Sequence, residues 1–131
     1  MSKELLNKEK ARKLALIKDY DKSQGVNSFI LNGESAWFDK ATRVGLINSL
    51  QIEKAANRDK TTLWINNTPY TMCIDDALKM LTAIELYAVE CYNTTERHIT
   101  AVNELTDANR VYNYDYTRGY PKRLIFNLES E

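Results

Sequence analysis

At 131 residues the chain has the length for one domain around one core, and its 18 Lys plus Arg offset 18 Asp plus Glu. That balance leaves no global field to hold nucleic acid or an anionic membrane by charge alone. Two cysteines, Cys73 and Cys91, match no CxxC pattern and exclude a disulfide framework or a cysteine-rich zinc site, so both are expected as reduced thiols.

The opening MSKELLNKEKARK is charged and no unbroken apolar run follows it, so neither a signal peptide nor a membrane span is expected. Within residues 3–20, Leu5, Leu6, Ala11, Leu14, Ile17 and Tyr20 recur at helical spacing among Lys and Glu. An amphipathic N-terminal helix with one narrow apolar stripe follows, and residues 1–25 are set apart as this helix and its linker. Its six Lys/Arg against two Glu, counted through Lys18, are interleaved with the stripe, as on a solvated face.

Residues 26–131 are expected to form a single α+β domain. Asn32-Gly33 lies between two apolar runs and predicts a hairpin over residues 27–38, because both central positions of a type I′ turn need positive φ. Asp39 can cap a helix running to about Asn57, with Val44, Ile47, Leu50 and Ala55 facing inward. A second hairpin turns at Asn66-Asn67 and places Leu63, Ile65, Tyr70 and Met72 on one face, with Pro69 on the other, where an edge strand tolerates it.

From Ile74 to about Leu105 the pattern is a long helix, ~45 Å if unbroken. Its seam is Ala77, Leu81, Ile84, Ala88, Cys91, Thr95, His98, Val102 and Leu105, advancing alternately by four and three, which argues for lengthwise packing on other helices. Leu78, Met80, Tyr87, Val89, Tyr92 and Ile99 widen the apolar surface beyond the seam. Either the chain's other helices cover the surplus, or part of it is a subunit interface. On the second alternative Leu78, Leu81, Tyr87, Tyr92 and Ile99 are the candidate oligomer contacts.

Thr106 can cap a short helix in which Val111 and Tyr112 pack, and Gly119-Tyr120-Pro121 ends it. Leu124, Phe126 and Leu128 then alternate with polar or outward positions as a strand does, seeking the edge of the chain's own sheet or a neighbour's. The tyrosine-rich tail could in principle stack bases, but Asp107, Asp115, Glu129 and Glu131 cancel Arg110, Arg118, Lys122 and Arg123. Tyr112, Tyr114, Tyr116, Tyr120, Leu124 and Phe126 are therefore taken as packing or partner-docking residues rather than a nucleic-acid platform.

No catalytic constellation is visible, and no cofactor is expected. His98 is the one histidine and falls in the seam; Cys91 lies two turns away, about 10.5 Å along the axis, too far to share a metal ion with it. Gly25, Gly33, Gly45 and Gly119 are scattered and form no phosphate-binding loop. Glu85, Glu90 and Glu96 give no acid–base pair by spacing alone.

Three stretches carry a family resemblance: VNSFILNGESAWFDKATRVGLINSL, then TTLWINNTPYTMCIDDALKMLTAIELYAVECYNTTERHITAVNEL, then YDYTRGYPKRLIF. Together they resemble a domain family of unknown function found in tailed phages and Bacteroides-type prophages, over about residues 10–126. The segment Trp37 to Arg43 and the Trp64 hairpin leading into the His98 helix are its more specific parts. The resemblance implies a virion structural component associated with head or tail fibres, made in the host bacterial cytoplasm, with no catalytic activity and no site residues to transfer. Its partners would be copies of itself, a dimer first and a trimer second, and other virion proteins. The alternative is an assembly factor that leaves the finished particle.

Overall fold

The computed structural model describes residues 2–129. It is a mainly helical α+β structure in the order α1 (Lys3–Asp21), β1 (Phe29–Leu31), β2 (Glu34–Ala36), α2 (Lys40–Ala55), β3 (Lys60–Ile65), β4 (Thr68–Cys73), α3 (Ile74–Glu104), α4 (Ala108–Tyr112) and β5 (Ile125–Phe126). Two compact units share the chain. One joins the residues up to Asn27 with Ala88–Lys122, and the other joins Ser28–Tyr87 with the chain from Arg123 onward. The chain passes from one unit to the other after Asn27, inside α3 and before β5.

In the first unit Ser2 caps α1, its hydroxyl accepting from the Leu5 N–H at 3.1 Å, a contact of the kind that contributes about 1 kcal/mol. Ile17, Val102 and Val111 are each fully buried, ringed by Leu6, Leu14, Ile99, Leu105, Tyr114 and Tyr116. The seam of α3 points inward here as its spacing predicts: Ala88, Cys91, Thr95, His98 and Val102 are buried. Lys13 is buried too, on what the sequence presents as a polar face, because its ammonium caps α4 by donating to the Tyr112 carbonyl at 2.8 Å and the Tyr114 carbonyl at 3.3 Å. Asp107 rather than Thr106 caps α4, its carboxylate accepting from the Asn109 N–H. Val111 is buried as expected, whereas Tyr112 is exposed beneath the Arg12 guanidinium, 5.0 Å from the ring centre.

In the second unit both hairpins form at the expected asparagines. Asn32 and Gly33 have φ of 50° and 83°, and Asn66 and Asn67 have φ of 51° and 63°, the left-handed region that two-residue loops require. Leu63 faces Tyr70 and Ile65 faces Thr68, which gives β3 and β4 one buried side, while Trp64 faces Pro69 on the other. The first hairpin gains a third strand, in the order β2-β1-β5, with β5 parallel to β1. The terminal strand thus finds the edge of the chain's own sheet. Phe29, Leu31, Leu50, Ile65, Leu81 and Ile84 are among the side chains that fill this unit's core.

The inward face of α2 differs from the expected one. Leu50 is buried and Ile47 half-buried, but Val44 is 56% exposed and Ala55 lies in solvent. At 100° per residue Val44 and Leu50 are 120° apart, so one face cannot bury both. Arg43 takes the inward place. Its guanidinium donates to the Phe38 carbonyl at 2.7 Å and to Glu85 at 2.6 Å, and lies 5.2 Å over the Trp37 ring.

Candidate assembly surface

The five residues expected to form an oligomer contact do not share one surface. Leu81 is fully buried, and Tyr87 is 4% exposed with its ring edge-on to Trp37. Leu78 packs half-buried against the core of its unit, and Ile99 does the same in the other unit. Tyr92 presents most of its surface to solvent.

The tyrosine-rich tail is packed on its own unit. The Nε2–H of His98 donates to the Arg118 carbonyl at 2.7 Å, and its Nδ1 is hydrogen-bonded to the Tyr114 hydroxyl at 2.6 Å. Tyr116 and Tyr120 each stand edge-on to Tyr20, with ring centres 5.6 Å apart. The Thr95 hydroxyl donates to Asp21 at 2.8 Å and accepts from Tyr120 at 2.7 Å. Burial pushes the Tyr114 hydroxyl above its ordinary value, helped by the Asp115 charge. Burial also raises Tyr120, opposed by the Thr95 contact and helped by the Asp21 charge. Both phenols therefore stay protonated as donors. Of the other docking candidates, Leu124 and Phe126 pack on the core of the second unit, with the Phe126 ring edge-on to Phe29 at 5.6 Å. Tyr112 remains exposed.

What α3 leaves outside is a second series, two residues out of phase with the buried seam. On one unit it carries exposed Lys79, Thr82 and Leu86, beside a shallow cleft formed with Leu78 and Ala83. On the other it carries Val89, Asn93 and Glu96, and a cleft runs past Asn93, Glu96, Arg97 and Thr100. Leu86 is 63% and Val89 44% exposed. Of this series only Val89 is among the residues expected to widen the apolar surface, although the same alternation of four and three marks the rest.

A further cleft, about 410 Å³, lies between the end of α2 and the start of α3. Lys54, Arg58, Asp59, Cys73 and Asp75 line it, with Lys54 paired to Asp75 at 3.1 Å. Cys73 is exposed and Cys91 buried against the Val26 carbonyl. Among the described residues no group of three His, Cys, Asp or Glu side chains could hold a metal ion, and no helix is long and apolar enough to cross a membrane. No family model, curated protein or solved structure matches the chain.

Proposed function

We propose that the protein is a non-enzymatic structural subunit of a tailed-phage virion, a fibre, fibre-base or adaptor component that works by self-association and by docking to other virion proteins. The observation that supports self-association is the solvent-facing apolar row on the longest helix, where Leu86, Val89 and Tyr92 stand outside both cores. Placement in a virion rests on the family resemblance of residues 10–126. With the tail tyrosines packed inward, docking to a second protein falls to the outer, Lys-rich side of α1 and to Tyr112.

Quantitative mass spectrometry of purified particles of the encoding phage, referenced to the major capsid protein, tests the reading. A fixed copy number per particle is expected, and its multiple separates a head from a tail location. Abundance in the infected cell with absence from the particle would instead support the assembly factor, whose exposed apolar row would hold a client transiently.

A further inference from the structure

We infer that the outer face of α3 pairs with the same face of a second copy, antiparallel, about a twofold axis between Leu86 and Val89; this rests on the self-association proposed above. The helix is unbroken from Ile74 to Glu104, so residues that advance by four and three follow one line that drifts about 20° per heptad. Lys79, Thr82, Leu86, Val89, Asn93 and Glu96 form that line.

Running two copies in opposite directions about this axis sets Leu86 against Val89, Thr82 against Asn93 and Lys79 against Glu96. Apolar meets apolar at the centre, polar meets polar next, and opposite charges meet outside. The flanking positions agree, because Asp76 of one copy comes beside Arg97 of the other. Twofold symmetry makes every pair twice, so four opposite-charge contacts form.

Other arrangements are worse on the same criteria. A parallel pair sets Lys79 on Lys79 and Glu96 on Glu96. A slip of one heptad either way sets Lys79 on Val89 or Leu86 on Glu96, which desolvates a charge without a partner. Charge therefore selects both direction and register.

The contact is small. Residues 75–100 span roughly 40 Å at 1.5 Å per residue, and a strip about 10 Å wide then covers some 400 Å² on each copy, about 800 Å² in total, below the ~1,200 Å² total of stable interfaces. The isolated pair should be weak and become effective through repetition in an assembly.

Sedimentation of the full chain up to ~1 mM, the effective concentration that repeated sites supply, tests this. The mass should rise from 15.2 kDa toward twice that value. Lys79→Glu and Glu96→Lys should each weaken association by about tenfold, and the double exchange should restore it. Leu86→Lys should abolish it, and all four proteins should keep their helix content because these side chains are solvent-facing. Association that ignores these changes, or a double exchange that fails to restore it, overturns this face while leaving self-association by another surface intact. A chain that stays at monomer mass overturns both.

Discussion

Asn32 grips Leu128 with both ends of its side-chain amide: Nδ2 donates to the Leu128 carbonyl at 2.9 Å, and the Leu128 N–H donates to Oδ1 at 2.8 Å. The amide thereby adds a step to the parallel β1–β5 ladder, whose backbone bonds run from the Ile30 N–H to Leu124 and from the Asn32 N–H to Phe126. The same residue holds the left-handed first position of the hairpin turn. Asn32→Gly keeps the turn and removes the grip. It should cost about 1–2 kcal/mol in urea unfolding, with faster hydrogen exchange at Leu128. Unchanged exchange there would mean that the backbone bonds alone hold the strand.

Leu81 and Ile84 are both fully buried in the core of one unit. Glu at either position should leave that unit unfolded, and Leu81→Ala should cost about 2–5 kcal/mol. Leu86→Ala, five positions beyond Leu81 and largely exposed, should stay within about 0.5 kcal/mol of the parent. Denaturant midpoints of the two alanine variants compare the faces directly.

Arg43 closes a buried corner that no shorter cation can reproduce, since one guanidinium serves a carbonyl, a carboxylate and an aromatic face. Arg43→Lys should destabilise the fold by about 2–3 kcal/mol, because the buried pair breaks with its geometry. Glu85→Gln should cost less, since Glu85 is about one-third exposed and the Phe38 contact survives. Thermal unfolding of both variants orders the two contributions; equal losses would place the value in the ion pair alone.

Asp115 is held down to about 2 by the Thr117 hydroxyl, then the Thr117 N–H, with the Arg118 guanidinium adding to them against slight burial. A carboxyl lowered on folding contributes stability above its ordinary value near 3.8, and that contribution is lost as pH falls from there toward 2. Asp115→Asn should therefore be less stable than the parent at neutral pH and converge with it below about pH 2. Paired unfolding curves across that window, with the carboxyl followed by NMR, check the sign.

The sequence made the long helix legible because a seam from Ala77 to Leu105 is a local regularity, and it placed both turns because two adjacent positive-φ residues leave little choice beyond asparagine and glycine. Hairpin register followed from the turn, so the Leu63–Tyr70 pairing was legible as well. The face of α2 was not, since an arginine satisfied by Phe38, Glu85 and Trp37 can occupy a core position that composition assigns to valine. Nor was the fate of the tail. An isolated Tyr114 reads the same whether its hydroxyl meets a partner protein or His98, and the distinction depends on contacts between distant segments.

The two units are interleaved along the chain, and this governs the order in which they can form. Lys13 awaits a carbonyl 99 positions later, Ile17 awaits Val102 and Val111, and β1 awaits β5. On a ribosome that releases the chain from its N-terminus, neither unit can close until α4 and β5 have emerged. Nascent α1 and the first hairpin must wait without their cores, with Ile17 and Phe29 uncovered. A cell making this protein in quantity therefore holds a population of unfinished chains whose apolar surface is open to holdase chaperones, and a premature stop before Phe126 leaves a chain that cannot complete its sheet.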